Sequence, residues 1–131
     1  MGSRSQRVQR TTLSRDTCLD LLRRADLARG VISVRCLPAA LPARIEVVDD
    51  NLVLLASTEE AVLVAARRGE VLSVQIDGLE DDGATWSVMA SGLAATAEES
   101  ASRSPALAAA LANGASLVAL PLAVVVGERV G

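Results

Sequence analysis

The sequence contains neither lysine nor histidine, and these two absences exclude much of the side-chain chemistry that enzymes use. Without a side-chain amine, no Schiff base can form with a carbonyl substrate. Without an imidazole, one chain cannot build a Ser-His-Asp arrangement, a Cys-His pair or a histidine-based metal site. All thirteen basic residues are arginine, so every fixed positive side-chain charge is a guanidinium.

Aromatic residues are almost absent as well, with one Trp, no Phe and no Tyr. Half of the 131 residues are hydrophobic, so valine, leucine, isoleucine and alanine must fill the core of a single domain. Short valine-rich runs favour strands. The net charge of −3 and the lack of stacking platforms argue against nucleic-acid binding.

The two cysteines, Cys18 and Cys36, are too few for a structural zinc site and do not form a CxxC motif. We predict two buried, reduced thiols of a cytoplasmic protein. The N-terminus is polar and lacks the apolar region of a signal peptide. Residues 1–12 are predicted to be a disordered basic tail, with a basic arm for an anionic partner as the alternative, and residues 13–131 to form the domain.

No charge occurs over 104–127, a length that could span a bilayer. Asn113-Gly114, Ser116 and Pro121 interrupt this stretch, and alanine dominates its first half. We therefore predict a helix, a turn and a buried strand here, and no membrane partner.

Periodicity and turn residues predict an α+β domain with short connections between its strands. Ser14 is a predicted N-cap, and the turns are expected at 49–51, 77–83 and 113–114. The predicted helices are 15–25, 58–68 and 105–111, and the predicted strands are 31–35, 44–48, 52–57, 71–76, 86–93 and 116–126. Strands joined by short turns imply antiparallel pairing and a small barrel with helical plugs.

Several short phrases follow one another in a familiar order: Leu13-Ser14-Arg15, Arg29-Gly30-Val31, Asp49-Asp50-Asn51, Ala65 to Gly69, Trp86-Ser87-Val88 with Gly92, and Pro121 to Val130. In this order they resemble the pyridoxamine 5′-phosphate oxidase-like split-barrel proteins, especially the short bacterial members that bind flavin or deazaflavin. The resemblance spans roughly 13–130. It implies a six-stranded antiparallel split β-barrel of Greek-key topology with two or three short helices. It also implies a homodimer that holds FMN in a groove between its subunits.

The cation positions of this family pattern are altered. The family's Arg-Pro before the second strand is matched here by Leu41 to Arg44, so the arginine is displaced. Its third strand usually ends in Arg-Thr, where this chain has Ala56-Ser57. A lysine commonly opens its second helix, and the matching position is Val62. We therefore expect FMN, if it binds, to bind weakly.

The remaining candidates for flavin contacts each have a structural alternative. Arg44 could replace the missing cations, although Glu46 on the same strand face is an obvious ion-pair partner. Ser57 and Thr58 offer hydroxyls near a helix start, or simply cap the helix. The other candidates are Arg67 and Arg68, which are otherwise solvated, and Trp86, which otherwise packs in the core or an interface.

Two functions remain open from the sequence. One is an FMN- or deazaflavin-dependent oxidoreductase in which the cofactor carries the redox chemistry and the protein supplies no catalytic side chain of its own. The other is a cofactor-free split-barrel dimer with a binding or structural role. Both imply a small-molecule or binding groove between two subunits, and the substrate is not readable from the sequence.

Overall fold

One antiparallel sheet organises the structure, a computed structural model that describes residues 8–131. Within that range the strands are β1 Arg10–Thr12, β2 Ala28–Val34, β3 Leu37–Asp49, β4 Leu52–Ser57, β5 Val71–Leu79, β6 Thr85–Leu93, β7 Ala95–Thr96, β8 Ser116–Pro121 and β9 Val124–Val130. The helices are α1 Arg15–Arg24, α2 Glu60–Arg68 and α3 Pro105–Ala112, with a 3₁₀ turn at Glu99–Ala101.

The strand order is β1-β9-β6-β5-β2-β3-β4-β8-β7, so β1 and β7 are the edges and the sheet does not close. This confirms the α+β class and the antiparallel pairing, but the six-stranded count is wrong for residues 8–131. The predicted last strand is broken between Pro121 and Val124 into β8 and β9, and two short edge strands were missed. Strands of two or three residues carry too little periodicity to be detected.

The N-terminal prediction is tested only in part. Residues 1–7 lie outside the described range. Arg10, Thr11 and Thr12, which we expected in the tail, form β1 and pair with β9. Arg10 also forms an ion pair with Glu128 at 2.6 Å. The ordered domain therefore includes β1.

β3 is long because it serves both halves of the sheet. Its first half, up to Ala43, pairs with β2, and its second half, from Arg44, pairs with β4. The segment 37–42 was predicted to be extended, and it is part of this one strand rather than a separate connection. The change of partner at Ala43 and Arg44 opens a corner in the sheet.

The helices begin and end for reasons readable in the sequence. The Ser14 hydroxyl accepts a hydrogen bond from the Thr17 N–H, which caps α1. Gly69 ends α2 in a left-handed conformation with φ 66°. Ser104 caps α3, and Pro105 takes its first position.

Two apolar clusters lie on the two faces of the β3–β4–β8 half. The larger contains Cys18, Leu22, Val53, Leu55 and Val74, among others, and is covered by α1 and α2. The smaller contains Leu54, Ala56, Leu107 and Leu117 and is covered by α3. α3 therefore forms the outer layer over this half of the sheet.

Both cysteines are free, as predicted, but only Cys18 is buried. Burial raises the pKa of the Cys18 thiol, which keeps it protonated and unreactive. Cys36 is exposed because it lies in the β2–β3 turn, where Arg35 and Cys36 both have positive φ. None of the helices found in residues 8–131 is long and apolar enough to cross a membrane.

Candidate functional site

A cavity of about 290 Å³ lies at the corner where β3 leaves β2 and joins β4. We call it the Arg44 pocket. Polar side chains reach it from three elements: Arg44 from β3, Ser57 and Thr58 from the end of β4, and Asn113 from the end of α3. Leu27, Pro42 and alanines complete its walls. Three of the six predicted site residues thus line one cavity.

Arg44 is exposed, and the only hydrogen bond of its side chain within residues 8–131 is a long one, from Nη1 to the carbonyl oxygen of Asp26 at 3.4 Å. It belongs to none of the ion pairs found within residues 8–131. The predicted pair with Glu46 is therefore wrong. Glu46 instead accepts hydrogen bonds from Ser102, Arg103 and Ser104.

Ser57 is 5% exposed and its Oγ accepts the N–H of Glu59 at 3.0 Å. The hydroxyl proton is left to donate elsewhere, and the side chain lines the Arg44 pocket. Thr58 is exposed at the rim. It does not cap α2, because the N-cap position is Glu59 and α2 begins at Glu60.

Asn113 was missed as a site residue because Asn113-Gly114 was interpreted only as the end of a helix. It is the C-terminal capping residue of α3, and Gly114 follows with φ 100°. The side chain of Asn113 has both a donor and an acceptor, and it lines the pocket together with Arg44. An Asn-Gly pair in a sequence predicts a turn, but it does not predict that the asparagine side chain lines a cavity.

Arg44 also lines a second cavity, of about 300 Å³. Its charged lining includes Arg23, Asp26 and Glu46. Arg23 is compensated, since it forms ion pairs with Asp20 at 3.1 Å and with Asp50 at 2.7 Å. Arg44 is thus the arginine of this region that lacks an observed carboxylate partner.

The other predicted site residues lie elsewhere. Arg67 forms an ion pair with Glu60 at 2.7 Å and lines a separate cavity of about 250 Å³ with Thr96 and Ser116. Arg68 is exposed at the last residue of α2. Neither appears among the lining residues of the Arg44 pocket.

Trp86 lines a cavity of about 510 Å³ on the surface of β5, β6 and β9. It packs over Gly78 on the neighbouring strand, since a Cβ built on Gly78 would lie 2.4 Å from the Trp86 ring. This contact supports a packing role for Trp86. Within one subunit, Trp86 and Arg44 therefore line different cavities.

Val62, the position we matched to the family's helix-opening lysine, is 1% exposed and belongs to the larger apolar cluster. A side chain at this position points into the core rather than toward the Arg44 pocket. The structure thus offers no space for a phosphate ligand at Val62 itself. Residues 8–131 contain no group of three Cys, Asp or Glu side chains placed to hold a metal ion.

The family model for pyridoxamine 5′-phosphate oxidase matches residues 14–128, which is most of the chain. The chain belongs to the pyridoxamine 5′-phosphate oxidase family. No curated protein sequence matches it.

Several solved structures are similar to this chain. The FAD-binding protein from Mycobacterium smegmatis is 25% identical, with a TM-score of 0.69 over 92% of this chain and 98% of its own. A FAD-binding protein from Mesorhizobium loti is 15% identical, with a TM-score of 0.79 over 95% and 99%. The FAD and heme binding protein from Mycobacterium smegmatis is 19% identical, with a TM-score of 0.66 over 91% and 72%.

Proposed function

We propose that this member of the pyridoxamine 5′-phosphate oxidase family is a flavin-binding protein whose Arg44 pocket receives a phosphate group of the cofactor. The observation that carries the proposal is the convergence of an uncompensated guanidinium with two hydroxyls and a side-chain amide in one cavity. The 25% identity to a FAD-binding protein over nearly the whole of both chains supports it.

The residues of the pocket fit a phosphate chemically. Arg44 can donate two parallel hydrogen bonds to phosphate oxygens, and Ser57, Thr58 and Asn113 add neutral donors. The start of α2 adds a counteracting feature, since Glu59 and Glu60 place two exposed carboxylates next to Thr58. A site with one cation should therefore bind a doubly charged phosphate weakly.

The charge argument bears on which flavin is preferred. The phosphate of FMN carries almost two negative charges on one group near pH 7. In FAD the charge is spread over two phosphate groups, each with one. A pocket with one guanidinium can compensate one such group better than a doubly charged one. We therefore propose FAD ahead of FMN, with a deazaflavin as a further alternative.

An oxidoreductase role is part of the proposal. A bound flavin supplies hydride and electron transfer, and the protein binds it, orients it and excludes water. No lysine or histidine is available as a general base, so we expect the protein's own contribution to be positioning. The two free cysteines fit a reducing compartment, and we place the protein in the cytoplasm.

We further propose a homodimer that completes the flavin site. About 290 Å³ lies at the lower limit for a ligand pocket, so one subunit alone covers only part of a flavin. The outer face of β5, β6 and β9 exposes a set of apolar residues that a second copy could cover: Val71, Leu79, Leu93, Val124 and Val126, each more than half exposed. A monomer mass by light scattering at micromolar concentration would contradict the dimer.

The test is a titration of the purified protein with FMN and with FAD, followed by flavin fluorescence. Each charge-assisted hydrogen bond contributes roughly 1.5–3 kcal/mol, so Arg44→Ala should weaken binding by about tenfold to a hundredfold. Arg68→Ala is the control, because it also removes an exposed arginine but from outside the pocket. Equal affinities of Arg44→Ala and the parent protein would remove Arg44 from the site.

The cofactor-free dimer is the second candidate function. The observation that favours it is the scarcity of cations at the pocket, where Arg44 is the one cation among the lining residues and the chain has no lysine. It predicts no saturable change in flavin fluorescence with either flavin up to millimolar concentration, together with an intact dimer.

A further inference from the structure

Glu46 is held by three neutral donors that belong to a single short segment. Its Oε1 accepts hydrogen bonds from the Ser102 hydroxyl at 3.0 Å, the Arg103 N–H at 3.2 Å and the Ser104 N–H at 3.0 Å. The side chain is half-buried, and it enters none of the ion pairs found in residues 8–131. The negative charge of Glu46 is thus stabilised by backbone and hydroxyl groups rather than by an arginine.

Arg44 is the arginine that would otherwise be expected to pair with Glu46. The two residues are separated by two positions on one strand, so they lie on the same face of the sheet. The structure instead directs Glu46 toward the 102–104 segment and leaves Arg44 with one long bond to the Asp26 carbonyl oxygen. The 102–104 segment therefore donates hydrogen bonds to the Glu46 carboxylate, which could otherwise form an ion pair with Arg44.

The same segment fixes the position of α3. Ser104 is the N-cap of α3, and Leu107, 0% exposed, anchors the helix in the smaller apolar cluster. At the other end of the helix, Ala110 and Asn113 line the Arg44 pocket. The bonds to Glu46 thus hold the beginning of a helix whose end forms one wall of the pocket.

We propose that Glu46 is a positioning residue for the Arg44 pocket: it docks α3 through Ser102–Ser104 and, while so engaged, leaves the Arg44 guanidinium available to an anionic ligand. This rests on the proposed function as far as the ligand is a flavin phosphate. The coupling has a direction. Loss of the 102–104 contacts frees the carboxylate to pair with Arg44, which opposes anion binding.

Two conservative variants separate this role from a merely structural one. Glu46→Gln keeps the length of the side chain and removes the charge, so it weakens the hold on the segment but cannot neutralise Arg44. Glu46→Asp keeps the charge but is one methylene shorter, so it loses the segment and retains a carboxylate two residues from Arg44. We expect the neutral variant to preserve an available Arg44 and the charge-conserving variant to lose it.

The first measurement requires no flavin. Phenylglyoxal labelling, mapped by peptide mass spectrometry, reports the availability of the Arg44 guanidinium. Relative to the parent protein, Glu46→Asp should slow labelling of Arg44 by about fivefold, as expected when an exposed ion pair occupies the group most of the time. Glu46→Gln should leave the rate unchanged, and Arg68 serves as the internal reference in every sample.

Hydrogen exchange of peptides covering 102–112 is measured on the same samples. Exchange should be faster in both Glu46 variants than in the parent, because both weaken the docking of α3. Glu98→Asp and Glu98→Gln are the controls, since Glu98 is exposed and makes no side-chain capping bond. Unchanged exchange in both Glu46 variants, or equal Arg44 labelling in Glu46→Asp and the parent, would overturn the proposal.

Flavin titration then separates this proposal from the proposed function. If the parent protein binds flavin, Glu46→Asp should bind about fivefold more weakly than Glu46→Gln, whereas a purely structural role predicts that the charge-conserving variant binds as well or better. If the parent binds no flavin, the proposed function fails, and the labelling and exchange results still decide whether Glu46 positions α3 and Arg44. Flavin binding with equal affinities in the two variants would retain the proposed function and remove Glu46 from it.

Discussion

Two regions of this molecule use arginine in opposite ways. At the end of β9, Arg129 donates to Glu80 at 2.8 Å, to Asp82 at 2.8 Å and to the carbonyl oxygen of Gly131 at 3.1 Å. At the corner of β3, Arg44 makes one bond of 3.4 Å and no observed ion pair. Both side chains belong to strands, so the difference lies in what surrounds them.

The surroundings of Arg129 are those of a structural element. Gly78 provides space for the ring of Trp86, and the Arg129 ion pairs tie the β5–β6 turn to β9. We call this region the β5–β6–β9 side. Its Trp86 is explained by packing against Gly78, and its Arg129 by ion pairs with Glu80 and Asp82. The Arg44 pocket has no comparable explanation for its cation. The proposed function assigns the exposed Arg44 to a ligand, whereas the paired Arg129 is a stabilising contact of the fold.

The largest expected effect is on the β5–β6–β9 side, at Gly92 of β6. A Cβ at this position would lie 1.8 Å from the carbonyl oxygen of Pro121 in β8, so the backbone itself must move. We expect Gly92→Ala to lower the free energy of unfolding by about 3 kcal/mol, the upper range for overpacking, as measured by urea denaturation.

Gly30→Ala is the matched control, because a Cβ at Gly30 meets only the Leu41 carbonyl oxygen at an ordinary 3.7 Å. The control should unfold close to the parent protein. Equal stability of Gly92→Ala and Gly30→Ala would mean that β6 and β8 do not approach as closely as the structure shows.

The sequence predicted the helices well because they have periodic apolar residues and clear end signals, such as Ser14, Gly69 and Pro105. It also located the longer strands, although it merged β8 and β9 into one. It did not predict that β3 runs unbroken through Pro42, because proline normally argues against a central strand. The change of pairing partner at Ala43 and Arg44 explains how this is tolerated, and such a change leaves no local signal.

The site was predictable only in part for a related reason. Arg44 stood out because it is a charged residue in an apolar strand, and Ser57 and Thr58 stood out because they precede a helix. The partner of Glu46 could not be predicted, because the 102–104 segment is more than fifty residues away along the chain. Val62 was matched to a family position from the sequence alone, and its burial in the larger apolar cluster could not be read from that match.

A smaller effect distinguishes the two arginines directly. Arg129→Gln should lower the melting temperature because it leaves Glu80 and Asp82 without their cation. Arg44→Gln should leave the melting temperature unchanged, since the Arg44 side chain makes only one long hydrogen bond within residues 8–131, and under the proposed function it should weaken flavin binding. Differential scanning calorimetry of both variants without flavin checks this, and an equal loss in the two would show that Arg44 also stabilises the fold.

The smallest effect concerns the pH dependence of the β5–β6 turn. The Ala84 N–H, which donates to Asp82 at 2.9 Å, and then the nearby Arg129 hold the pKa of the Asp82 carboxyl below its ordinary value of 3.8. Glu80, through its hydrogen bond, raises the pKa of Arg129, which therefore stays protonated throughout the acid range. In the acid range, the protonation of the Asp82 carboxylate changes and that of Arg129 does not.

Because the folded pKa of Asp82 is depressed, the native state holds this proton less readily than the unfolded chain does. The contribution of Asp82 to stability is therefore complete above about pH 4–5 and is lost as the pH falls through the folded pKa. We expect the parent protein to melt above Asp82→Asn near pH 6, and the difference to become smaller as the pH is lowered from 6 to 3. Asp81→Asn, a change of an exposed neighbour, should show no such pH-dependent difference. A gap between the parent and Asp82→Asn that stays constant from pH 6 to pH 3 would show that the Asp82 charge does not stabilise the turn.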